Sequence, residues 1–149
     1  MGRYVITKTF EHCEGIYCTY RIHKSLGKEK FLHGYPMSIK LVFESFDLNE
    51  SGWIIDRSIF DEMKELIKTE FDGKTCVAGD DPEIETFNQL HEKQIIDLKI
   101  MEMVSQEKFA EAVHGIVTAF LEDKTLNNTV ILRTVEVREH QGDSAIYLN

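Results

Sequence analysis

Lys30-Phe31-Leu32-His33-Gly34-Tyr35-Pro36-Met37-Ser38-Ile39-Lys40-Leu41-Val42-Phe43 is the stretch from which the architecture is read. A His-Gly turn leads into a strand in which Met37, Ile39, Leu41 and Phe43 share one face. Alternation with a period of two marks a strand buried on one side. His33 therefore stands where a strand begins, a position from which side chains serve ligand sites. Upstream, residues 16–22 (IYCTYRI) have the aromatic and β-branched content of a second strand, which ends at His23. A basic, glycine-containing connection joins the two, so they are expected to pair antiparallel. His23 then leaves one strand where His33 enters the other, and the two imidazoles are placed to converge.

The remaining chain supplies helices and further strands. Residues 4–9 form a short strand or an arm. Asp47-Leu48-Asn49-Glu50-Ser51-Gly52 is a turn cluster, followed by extended Trp53-Ile54-Ile55-Asp56. Ser58 is the expected N-cap of a helix with Ile59, Met63, Leu66 and Ile67 on one side and Asp61 in its first turn, stopped at Phe71-Asp72-Gly73. Across residues 74–103 the periodicity loosens. Asp80-Asp81-Pro82 starts a short helix bearing Ile84, Phe87 and Leu90, and residues 95–104 give a short strand and a loop. Ser105 caps the last helix, striped by Phe109, Val113, Ile116, Val117 and Phe120. Residues 130–137 are the longest strand signal, and 145–148 a shorter one. Strands at both ends with helices between them predict an α+β domain, an antiparallel sheet carrying helices on one face.

A chain of 149 residues fits a single domain, 1–149, with a core that needs no metal or disulfide staple. The net charge of −9 disfavours nucleic acid and anionic membranes, since phosphate contacts need clustered Lys and Arg. No apolar run approaches the roughly 18 residues that span a bilayer. The N-terminus lacks the pattern of a signal peptide. Cys13, Cys18 and Cys76 form no CxxC pair, so reduced thiols in a cytoplasmic protein are expected.

Five segments in fixed order resemble the 6-pyruvoyl-tetrahydropterin synthase and 6-carboxy-tetrahydropterin synthase (QueD) family. Leu32-His33-Gly34-Tyr35 resembles its Leu-His-Gly-His strand entry with one change. Gly52-Trp53-Ile54-Ile55-Asp56 is similar to the segment before its first helix, and Phe71-Asp72 to the Leu-Asp-His that ends that helix. Val104-Ser105-Gln106-Glu107 resembles Pro-Thr-x-Glu at the start of the second helix. Val135-Glu136-Val137-Arg138-Glu139-His140 with Ala145-Ile146-Tyr147 resembles the terminal strand pair. The likeness covers roughly residues 16–148, interrupted by an insertion at about 74–103.

The resemblance implies the tunnelling fold (T-fold), a four-stranded antiparallel sheet with helices on one face, closing into an oligomeric barrel as a trimer or dimer of trimers. It implies a carbon–oxygen lyase or a protein that binds a dihydroneopterin-type pterin; the alternative is a non-catalytic paralogue for a pterin or a purine-like ring. Zn²⁺ would take His23 and His33, but Tyr35 stands at the third ligand position, where a phenol must lose a proton of pKa about 10 to bind a metal. The family cysteine is matched by Glu29, a carboxylate able to act as a general base. Asp72 keeps the acidic half of an Asp-His pair whose histidine is replaced by Gly73. Glu139 matches the glutamate that accepts hydrogen bonds from the pterin ring, framed by Ser105 and Glu107.

Overall fold

The computed structural model describes residues 2–140 and 142–149. Along the chain lie β1 (Tyr4–Phe10), β2 (Tyr17–Tyr20), β3 (His33–Pro36), β4 (Ser38–Ser45), α1 (Ile59–Phe71), β5 (Lys74–Ala78), α2 (Ile84–Glu92), β6 (Asp97–Met101), α3 (Gln106–Asp123), β7 (Ile131–Arg138) and β8 (Ser144–Leu148). The stretch expected to enter one strand is divided at Met37, and its halves join different sheets. Pro36 has no N–H to continue a ladder. At the break the Met37 N–H instead donates to the Ile16 carbonyl at 2.7 Å.

The larger sheet is antiparallel in the order β1-β4-β7-β8. Its inner face follows from alternation and register. Ile39 lies opposite Val137 and Leu41 opposite Val135, with Ala145 beside Val137. Ile39, Leu41, Phe43, Val135 and Val137 have no exposed surface. The N-terminal segment is a full edge strand of this sheet, and residues 17–20 are not part of it. They pair with β3 antiparallel and with β5 in parallel, making a second sheet β3-β2-β5-β6.

Residues 74–103, without clear periodicity in the sequence, are thus a β5-α2-β6 unit of parallel strands. Lys74–Ala78 is buried on both faces, so its side chains show no alternation to read. Arg21, just past β2, fastens this unit: its Nε and Nη2 grip the buried carboxylate of Asp81, whose Oδ1 also accepts the Glu83 N–H at 2.9 Å.

Helices α1 and α3 cover the inner face. Phe60 of α1 meets Phe43 of β4, ring centroids 5.9 Å apart. Phe109 of α3 touches Phe71 of α1 at 5.7 Å and Tyr20 of β2 at 5.1 Å, so one ring joins both helices to the second sheet. Ser58 occupies the N-cap position of α1 but makes no side-chain cap; Asp56 accepts both the Ser58 N–H and its hydroxyl. Ser105 caps α3 as expected, its oxygen accepting the Lys108 N–H at 3.1 Å. Gly73, at φ +75°, takes the left-handed turn that ends α1 and donates to the Tyr17 carbonyl. Among the described residues no helix is long and apolar enough to cross a membrane.

Candidate functional site

Where β2 and β3 meet the start of α3 and the end of β7, a cavity of about 540 Å³ opens, within the usual range for small-molecule sites. Of the residues singled out in the sequence, Glu29, His33, Tyr35, Ser105, Glu107 and Glu139 line it. They arrive from four separate segments, and the turn that ends the β2–β3 connection brings in the first of them. The Glu29 carbonyl accepts the Ile22 N–H at 2.8 Å, folding that turn back on β2, and Ser25 donates its hydroxyl to Glu29 Oε2 at 3.1 Å. Hydrogen bonds from its own backbone N–H and from Ser25 hold the Glu29 carboxyl below the usual range. It is therefore ionised near neutral pH and free to accept a proton, though as a weak base.

His33 is oriented by its own turn. Its Nδ1 lies 2.8 Å from the Phe31 carbonyl, which can only accept, so the neutral ring carries its hydrogen there and presents a lone pair at Nε2. The ring packs on Tyr20 at 4.3 Å and faces Tyr35 at 6.0 Å, and Tyr35 faces His140 at 6.4 Å. These four rings form an aromatic wall. His140 has the opposite tautomer, because its Nδ1 accepts the Gly142 N–H at 3.0 Å.

Glu139 closes the far side, one residue beyond β7. Its Oε1 is buried with no hydrogen-bond partner among the described residues, and burial raises its pKa, countered in part by His140. An orphaned buried carboxylate oxygen is costly, and such groups are retained where a ligand supplies the donor.

The structure does not bring the other candidates here. Asp72 is absent from the lining; its Oδ1 accepts the Tyr17 N–H at 3.0 Å and ties the end of α1 to β2. His23 lines a neighbouring cavity of about 240 Å³, which shares Ile22 and Ser105 with the larger one. Its ring nitrogens lie 3.6 Å from Asp80 and 3.9 Å from Asp81. The two imidazoles thus serve different cavities, because the side chain of His23 is drawn to the β5-α2 turn. Tyr35 stands at the third position, and among the described residues no three His, Cys, Asp or Glu are grouped as a metal ion would require. No thiol lines the cavity: Cys13 is exposed elsewhere, while Cys18 and Cys76 are buried and hydrogen-bonded to each other, which pushes the Cys18 thiol up.

Sequence reasoning missed Tyr20, Lys28, Gln106, His140 and Asp143 in this lining. His140 had no ligand spacing, and Tyr20 is indistinguishable from a core strand residue until β3 is placed beside it.

The antiparallel sheet with helices on one face is that of the tunnelling-fold proteins. The sequence model of the family described as 6-pyruvoyl tetrahydropterin synthase matches residues 6–149. The chain belongs to that family. An uncharacterised protein from Wolinella succinogenes is similar at TM-score 0.79 and 17% identity, covering 100% of this chain and 99% of that one. Plasmodium vivax 6-pyruvoyltetrahydropterin synthase, in a form with a glutamate named as a catalytic residue replaced by alanine, gives 0.74 and 14%, covering 100% and 99%. The Caenorhabditis elegans 6-pyruvoyl tetrahydropterin synthase gives 0.68 and 13%, covering 100% and 97%. No curated protein matches the sequence.

Proposed function

We propose that the cavity binds a dihydroneopterin-type pterin, with Glu139 accepting hydrogen bonds from the amino and ring N–H groups of its pyrimidine edge. The observation that carries this reading is the buried, unpartnered Oε1 of Glu139. A carboxylate matches a two-donor edge in bidentate fashion, and the aromatic wall from Tyr20 to His140 suits a planar ring. Ser105 retains its hydroxyl proton after accepting from Lys108 and donates it to the ligand.

For chemistry on the pterin side chain, in the manner of a 6-pyruvoyl- or 6-carboxy-tetrahydropterin synthase, Glu29 is the proton acceptor. It lines the cavity, whereas the other acidic candidate, Asp72, is occupied by the Tyr17 N–H. A glutamate is also the residue named as catalytic in the Plasmodium vivax enzyme, where one variant replaces it with cysteine. His33, with its lone pair at Nε2, is a second acceptor. A second reading, a non-catalytic protein for a pterin or purine-like ring, is favoured by the residues present, since Glu29, Tyr35 and Gly73 stand where the resemblance expects a cysteine and two histidines.

The sheet ends in β1 and β8, each with one unpaired side. Those edges are where copies join into a trimer or dimer of trimers, as exposed edges favour strand addition.

The test is thermal denaturation with dihydroneopterin, neopterin and guanine, combined with turnover. Pterins raise Tm in the wild-type protein, and Glu139→Ala removes the rise. Turnover of dihydroneopterin that disappears in Glu29→Gln identifies an enzyme; binding without turnover identifies the non-catalytic protein. No shift with any of the rings refutes the site.

A further inference from the structure

Of the two imidazoles that line the cavity, His33 presents a lone pair and His140 presents a hydrogen. The His140 ring is set by its own turn. Its Nδ1 accepts the Gly142 N–H at 3.0 Å, so the neutral ring carries its hydrogen at Nε2. A Cβ at position 142 would stand 3.2 Å from both Cε1 and Nδ1 of that ring, closer than ordinary van der Waals contact. Glycine is therefore what lets the ring lie over the turn. From β3, Tyr35 meets the ring in a T-shaped contact, centroids 6.4 Å apart. Among the described residues the Nε2–H has no hydrogen-bond partner; Asp143 Oδ2, at 3.9 Å, is too far to accept it. The bond that orients this donor is made between residues two apart in one chain.

Glu139 stands beside His140 in the sequence and in the cavity. Burial raises the pKa of the Glu139 carboxyl and His140 opposes the rise, so the two side chains are close enough to act on one ligand edge. The pyrimidine edge of a pterin presents an amino N–H, a ring N–H and a carbonyl oxygen in succession. With the first two on the Glu139 carboxylate, the carbonyl comes to its flank and needs a donor. On the pterin reading of the cavity, we propose that His140 is a specificity-determining residue whose Nε2–H donates to that ring carbonyl. Glu139 and His140 together then read the donor, donor, acceptor order of the edge, and Gly142 positions the imidazole. A site built around such a bond selects against a ring without the acceptor, because the donor is left unpaired once the ligand covers it.

The experiment is competition against neopterin on the purified native assembly, read by equilibrium dialysis, with pterin and with its 4-thioxo analogue. It is run at mildly acidic pH, where both rings keep their N–H. The analogue retains the amino and ring N–H groups and exchanges the carbonyl oxygen for sulfur, a poor acceptor. One hydrogen bond corresponds to about three- to tenfold in affinity, so the wild-type protein is expected to prefer pterin by that factor. His140→Phe keeps a planar ring without the N–H and brings the preference close to unity. Equal affinity of the wild type for the two rings overturns the role of His140 while leaving the pterin site standing. So does a preference that survives intact in His140→Phe. Binding of none of the three compounds overturns the pterin reading, and the His140 contact with it. A second measurement needs no variant: long-range proton–nitrogen correlation of the unliganded imidazoles should place the His140 hydrogen at Nε2, and a hydrogen at Nδ1 overturns the proposal.

Discussion

Glu139→Gln should make the unliganded protein more stable while weakening its ligand site, and the gain should depend on pH. In the wild type Oε1 is buried with no partner among the described residues, and burial raises the pKa above the ordinary glutamate value. A carboxyl with a raised folded-state pKa holds its proton in the folded state where the unfolded chain has lost it, so stability falls as pH rises through that window. Below the unfolded pKa, about 4.3, both states are protonated and Glu139 costs nothing. Glutamine keeps the shape and removes the charge. The amide still leaves an unpaired polar atom there, so only the extra cost of the charge is recovered. That is a fraction of the about 1–3 kcal/mol that an unsatisfied buried group carries, and smaller again because the site is half open. The expected gain at pH 7 is therefore below about 1 kcal/mol, a rise in Tm of at most roughly 2–4 °C for a chain of this size. Urea denaturation at pH 4 and pH 7 reads it, with wild type and variant converging at the acid end. Destabilisation at pH 7, or a difference that is the same at both pH values, would refute the orphaned-carboxylate account.

Arg21→Ala should cost about 3 kcal/mol by urea denaturation, because it leaves the buried Asp81 carboxylate without its counter-charge. The Arg21 guanidinium holds the Asp81 carboxyl below its usual range, so this contribution is present at neutral pH and lost as pH falls through the lowered folded-state value. The variant should therefore show a shallower acid limb. Gly34→Ala would place a Cβ 2.7 Å from the Cys18 carbonyl oxygen and 2.9 Å from the Tyr17 hydroxyl, which forces β3 off β2. A loss of about 1–3 kcal/mol follows, together with weaker pterin binding, since His33 and Tyr35 move with β3; unchanged calorimetric Tm would contradict it. Asp56→Ala should lower Tm more than Ser58→Ala, since the aspartate makes the bonds at the start of α1. The reverse order would restore Ser58 as the cap.

The sequence by itself determined the elements with strong local signals. Residues 37–43 alternate because one face of β4 lies on the core, and the Phe109-to-Phe120 stripe repeats at helical spacing for the same reason. The Ser105 cap and the turn at Asp72-Gly73 were legible from side-chain and glycine chemistry within a few residues. Of the seven candidates that the resemblance named, Glu29, His33, Ser105, Glu107 and Glu139 line one cavity, while His23 and Asp72 do not.

Tertiary structure decided what those local signals do not contain. The break of the opening stretch after Pro36, and the sheet that each half joins, depend on β5, a buried strand without alternation. The placement of β5 in turn settled His23. Its imidazole lies beside Asp80 and Asp81, some 60 residues away in sequence, instead of beside His33. Glu139 was named in the sequence by resemblance alone; its burial is a tertiary fact, since a carboxylate at a strand end looks solvated until the walls around it are built. Periodicity reports which face of an element is covered; the partner that covers it, and the polar atom left without one, are settled by long-range packing.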